Sequence, residues 1–127
     1  MQLDEKFFDK MVNCFIECMM HEFGSEISLI EKECRYTQMG YFRLLFSHQP
    51  THYKIIIENE LRTFSIQIID GENASTFLNR ISSYNKQLGE ENIENAITIL
   101  KEVLDKNNFD LYYQKNEKIY KKVMMGK

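Results

Sequence analysis

The chain reads as an α+β protein: an antiparallel meander sheet covered on one face by an N-terminal and a C-terminal helix, with a C-terminal β-hairpin. Three patterns point to this. Apolar side chains recur at helical spacing near both ends of the chain, over 4–23 and 91–108. Between them, over 27–70, they recur at spacing two. The connections between the extended stretches are too short for crossovers, so neighbouring strands run antiparallel. At 127 residues, with one Pro and five Gly, residues 1–127 are expected to form a single domain without a flexible linker. A domain of this size buries about two thirds of its unfolded surface.

In the first segment, Phe7, Phe8, Met11, Val12, Phe15, Ile16, Met19, Met20 and Phe23 sweep a wide apolar arc. Lys6, Asp9, Lys10, Asn13 and Glu17 hold the other side, and Asp4 and Glu5 place negative charge in the first turn. Gly24 supplies a C-terminal stop. So broad an arc implies a helix gripped on more than one side, by its own sheet and second helix or by a partner.

Three or four strands follow. The first, 27–34, places Ile27 and Leu29 with Glu31 and Glu33 on one face and Ile30 on the other. The second, 41–48, alternates on Phe42, Leu44 and Phe46; the third, 53–59, carries the β-branched run Ile55-Ile56-Ile57 suited to a central strand. In the fourth, 61–70, Phe64, Ile66 and Ile68 point in while Thr63, Ser65 and Gln67 point out, and Asn59-Glu60 makes the hairpin connection. One polar face means a sheet covered on one side only. Asp70-Gly71 is a turn signal. The stretch 76–88 has helical spacing at Phe77, Leu78, Ile81, Tyr84 and Leu88, but its Thr, Ser and Asn content favours a short helix or an irregular crossing. The next helix is well marked: Ile93, Ala96, Ile97, Leu100, Val103 and Leu104 form one face, Glu102 and Lys106 an i,i+4 pair, and Asn107-Asn108 a left-handed end. Phe109, Leu111 and Tyr113 then alternate with Asp110, Tyr112 and Gln114, turning near 115–117 and resuming at Ile119 and Tyr120.

Sixteen basic against nineteen acidic side chains leave a net charge of −3, which argues against a dedicated nucleic-acid binder. From Phe109 onward five Lys face only Asp110 and Glu117; lysines there suit edge protection of a hairpin. Arg35-Tyr36 and Tyr41-Phe42-Arg43 set cations beside aromatics, as single-strand binders do, but at this net charge strand packing is the better reading. Three cysteines without framework spacing, an acidic start in place of a signal peptide's basic one, and no apolar run near the roughly 20 residues that span a bilayer suggest a cytoplasmic protein with reduced thiols. Met11 and Met19 are expected in the core, with Met124 and Met125 on a short tail.

Residues with site chemistry are few. Cys14, Cys18 and His21 share one helix edge, and Cys34, His48 or His52 would complete a tetrahedral zinc set, yet no Cys-x-x-Cys loop accompanies them. They read as two semi-buried thiols beside a surface His, and no metal or cofactor is assigned. His48 and His52 bracket the only proline in what reads as a polar hairpin loop. Glu58, Glu60, Asp70 and Glu72 lie near strand ends, with nothing to select an acid–base pair among them. Phosphate-loop, nucleophile-elbow and His-Glu-x-x-His motifs are missing, so no catalytic residue is assigned.

The run ENIENAITILKEVLDKNNF followed by DLYYQKNEKIYKK resembles the C-terminal end of small immunity proteins from bacterial polymorphic-toxin systems. The resemblance covers about 30 residues and brings no diagnostic motif. It implies an α+β protein that binds and blocks a cognate toxin; from charge and hydropathy no nucleic-acid or membrane partner is expected, and the chain is expected as a monomer or homodimer. Contact residues differ between members of that family, so none carries over. The open sheet face and adjoining loops are the expected docking surface, around Arg43, Glu58, Glu60, Gln67 and Asp70. Acidic loops suit a basic toxin such as a nuclease. A ligand-binding domain or enzyme with a pocket between sheet and helices, and a homodimeric structural module, are the alternatives.

Overall fold

A computed structural model describes residues 5–71, 73–115 and 118–121. Helix α1 (Glu5–Phe23) and a single 3-10 turn (Gly24–Glu26) lead into strands β1 (Ile27–Arg35), β2 (Tyr41–His48), β3 (Tyr53–Glu60) and β4 (Thr63–Ile69). A short strand β5 (Ser75–Phe77) and a one-turn helix α2 (Leu78–Ile81) precede helix α3 (Glu90–Lys106); β6 (Tyr112–Lys115) and β7 (Lys118–Lys121) close the chain. The strands pair in chain order into a seven-stranded sheet, and every pairing is antiparallel. This is the expected meander. The C-terminal hairpin joins it through one residue pair, Ser75 with Tyr112.

The two long helices pack on each other and share one face of the sheet. From α1, Phe8, Met11, Val12, Phe15, Met19 and Phe23 are buried; from α3, Ile93, Ala96, Ile97, Leu100 and Leu104. They meet Phe42, Leu44 and Phe46 of β2, Ile55 and Ile57 of β3, and Phe64, Ile66 and Ile68 of β4 in one cluster. Phe15 sits at its centre, edge-on to Phe42 at 5.9 Å and to Phe64 at 5.0 Å, the arrangement that aromatic quadrupoles favour. The wide arc of α1 is thus gripped by the sheet and α3 together. Helix α3 ends where Asn107 turns left-handed at φ 45°, ψ 44°, as its sequence suggests. Its i,i+4 ion pair is Lys101 with Asp105 at 2.9 Å, one step before the expected Glu102–Lys106 pair.

Three expectations are corrected. Strand β1 bulges at Ile30, where the pairing register steps from Leu29–Phe46 to Glu31–Leu45. One extra residue reverses the alternation that follows. Glu31 and Glu33 therefore share a face with Leu45 and Arg43 and not with Ile27. The β3–β4 turn is Leu61-Arg62, two residues later than Asn59-Glu60. Asn59 is buried there, its amide nitrogen donating to the Gly40 and Leu61 carbonyls at 3.0 Å each. His48 is not in a polar loop: it closes β2 on the inner face, 2% exposed, with its ring edge-on to Phe23 at 5.3 Å. The stretch 76–88 holds both the short helix and the irregular crossing expected of it. Ser75–Phe77 joins the sheet, Leu78–Ile81 makes one helical turn, and the rest crosses without regular structure apart from a bridge of Gln87 to Thr63. It then covers the open half of β4, with Phe64 N–H donating to the Lys86 carbonyl and Leu88 N–H to the Arg62 carbonyl.

Met11 and Met19 fill the core as expected. Asn116, Glu117, Lys122, Met124 and Met125, on which the hairpin turn, part of the lysine-rich edge and the tail fall, lie outside the described residues.

Candidate functional site

Both long helices occupy the inner face, so the outer face of β1–β5 carries no helix among the described residues. Strand register builds this face in rows. Glu33, Arg43, Glu58 and Ser65 stand side by side across β1–β4. The next row runs Glu31, Leu45, Ile56, Gln67 and Phe77 from β1 to β5. A third holds Ser47, Lys54, Ile69 and Ser75. The face therefore has an apolar centre of Leu45, Ile56, Ile69 and Phe77 within a charged and polar surround. Phe77 is 37% exposed and Ile30, at the bulge, 46%.

The polar groups are held laterally. Arg43 Nη1 donates to Glu31 Oε2 at 3.3 Å across the β1–β2 pair. Arg35 pairs with Glu33 at 2.9 Å and lays its guanidinium 4.6 Å above the Tyr41 ring. Tyr41 donates its hydroxyl to Glu58 Oε2 at 2.9 Å; burial, then that hydrogen bond, raises the phenol above its ordinary pKa. Gln67 Nε2 donates to Ser75 Oγ at 3.2 Å. Tyr41, Glu58, Glu60, Thr63 and Ser65 border a shallow depression of about 190 Å³ at one end of the face.

Of the five expected contact residues, Arg43, Glu58 and Gln67 are brought together on β2, β3 and β4 of this face, and Glu60 stands exposed beside them. Asp70 is a correction. It is 8% exposed, continues the inner alternation of β4, and accepts the Ala74 N–H at 3.2 Å on its carboxylate, so it organises the turn into β5. The apolar row is absent from the sequence-based expectation, although Leu45 and Ile56 carry a signal for it. At period two, Ile56 must oppose Ile55 and Ile57, and Leu45 must oppose Leu44. Phe77 carries none, because its outward direction depends on β5.

The other candidate groups do not converge. Cys14, Cys18 and His21 lie on α1 along its groove with α3, where clefts of about 450 and 580 Å³ are lined in part by Glu17 and Glu94. Cys34 is exposed on β1. Among the described residues no three His, Cys, Asp or Glu side chains are placed to hold a metal ion. His48 Nδ1 lies 2.8 Å from the Thr51 hydroxyl, and its Nε2 3.9 Å from Glu26, while His52 is exposed. Among the described residues no helix is long and apolar enough to cross a membrane.

No family model, curated protein or solved structure matches the chain.

Proposed function

We propose that the protein is a binding module that docks a protein partner on the outer face of its sheet, and that the partner is a bacterial toxin which it neutralises. The row Leu45–Ile56–Phe77 on an uncovered face, rimmed by the Arg43–Glu31 and Arg35–Glu33 pairs, carries the first half of this reading. An apolar, partly aromatic centre within a polar rim is the general anatomy of a protein interface. Rim charges already fixed by lateral partners lose little side-chain entropy on docking. The toxin half rests on the resemblance of 91–122 to immunity proteins.

The test is neutralisation. The polypeptide encoded in the adjacent reading frame is expressed with and without this protein, and host growth is followed. The proposal expects growth to be restored by the wild type and lost again with Phe77→Lys, at the exposed end of the row, or with Glu58→Lys combined with Glu60→Lys, each variant keeping its thermal midpoint. A harmless neighbour, or neutralisation that survives all these substitutions, would refute it.

A further inference from the structure

The groove between α1 and α3 holds two thiols that play no part in the docking face. Cys14 and Cys18 are one helical turn apart, half-buried, and line the same cleft. It measures about 580 Å³, and its other walls include Glu17, Glu90 and Glu94. The geometry points to Cys14 and Cys18 as a two-thiol chelate for a thiophilic trivalent arsenic centre.

Span decides what can bridge the pair. Side chains at i and i+4 of a helix have Cβ atoms about 5–6 Å apart. A disulfide needs them at roughly 3.5–4.5 Å. Direct oxidation of the pair would therefore have to bend α1, whose adjoining Phe15 and Met19 are fully buried. A bridge of sulfur, one inserted atom and sulfur is longer than a disulfide and closes over an undistorted turn. Thiol ligands select soft centres. With only two of them, the site suits a centre satisfied by two thiols, and not zinc, which takes four ligands.

The chemistry balances without an oxidant. An arylarsenoxide condenses with both thiols. Two S–H bonds and the arsenic–oxygen bond break, two arsenic–sulfur bonds form, the protons leave with that oxygen as water, and arsenic stays trivalent. Burial, with Cys18 adding to it, pushes the Cys14 thiol up to about 12, and burial raises Cys18 as well. That suppresses reactions that need a free thiolate. Condensation consumes thiols, and the arsenoxide is uncharged, so the carboxylates around the groove do not repel it.

Phenylarsine oxide titrated into the reduced full chain tests this, with free thiols, intact mass and thermal midpoint as readouts. The expected result is one arsenic per chain and two of the three thiols consumed. The adduct should survive excess monothiol, release to a dithiol, raise the midpoint, and form unchanged in Cys34→Ala. Cys14→Ala and Cys18→Ala should give only adducts that a monothiol strips. A monothiol-resistant adduct in either variant, its loss in Cys34→Ala, or a lowered midpoint would overturn the inference. Should an alanine variant lose its helical circular dichroism, the wild-type and Cys34→Ala measurements decide alone.

Discussion

Replacing Gly40 with alanine should be among the costlier single-methyl additions in this molecule. Gly40 closes the turn between β1 and β2 at φ +70°, with its N–H on the Tyr36 carbonyl at 2.8 Å and its carbonyl taken by Asn59 at 3.0 Å. A Cβ there would overlap the Phe8 ring, 2.7 Å from Cε1, and lie 3.1 Å from the Leu61 carbonyl oxygen. Phe8 has little room to retreat: it is 3% exposed and stacks on Tyr36 at 5.6 Å. The left-handed backbone costs a residue with a Cβ about 1–2 kcal/mol. Overpacking a filled site costs about 1–3 kcal/mol. Together Gly40→Ala should lose about 2–5 kcal/mol. Two other glycines separate the terms. Gly24, at φ +56° with nothing near its Cβ position, should show the backbone cost alone. Gly71 also has open space, without the left-handed backbone, and as alanine should be level or slightly more stable. Urea unfolding at constant m-value reads all three. If Gly40→Ala costs no more than Gly24→Ala, the packing of Phe8 beneath the turn is wrong.

Phe15→Ala, at the meeting point of α1, β2 and β4, should lose about 3–5 kcal/mol in the same assay; a loss under about 1 kcal/mol would contradict the two-layer core. Burial lowers the pKa of His48, outweighing the favourable charge of Glu26. The unfolded chain therefore takes up this proton first, at about pH 6.5. Stability should be level above that pH and fall as pH drops through it, until the folded pKa is passed. His48→Gln should flatten this slope between about pH 7 and the lowered pKa, and an unchanged slope would remove His48 as its source. Leu61 holds φ 60° in a two-residue hairpin turn and is 56% exposed. Leu61→Gly should be neutral or stabilising by up to about 1 kcal/mol, the left-handed cost being partly offset by glycine's unfolded-state entropy. A clear loss of stability would show that the side chain packs.

Strong periodicity makes the helices and central strands legible in the sequence. Phe42, Leu44 and Phe46 alternate cleanly, and the apolar face of α3 is narrow enough to orient without ambiguity. What stays hidden depends on partners distant in the chain. The bulge at Ile30 is set by how β1 meets β2, so the outward turn of Glu31 and Glu33 is invisible in the local pattern. Asn59 and Asp70 look like surface residues by type, but each is buried because its side chain satisfies a turn backbone. His48 is buried because Phe23, at the end of α1, comes down beside it. The outer face is half legible: Arg43, Leu45, Ile56, Glu58 and Gln67 follow from alternation, while Phe77 needs the β4–β5 pairing to bring it beside Gln67.

Calorimetric binding of the polypeptide from the adjacent reading frame tests most directly where a partner sits. Leu45→Ala and Phe77→Ala on the outer face should each weaken binding by about 2 kcal/mol or more, roughly 30-fold. Glu102→Ala, exposed on the helical layer, should leave affinity within about twofold of wild type, since near-neutral contacts outnumber hot spots even inside interfaces. Unchanged affinity in both outer-face variants, with loss in Glu102→Ala, would place the partner on the helices and contradict the open sheet as the binding surface.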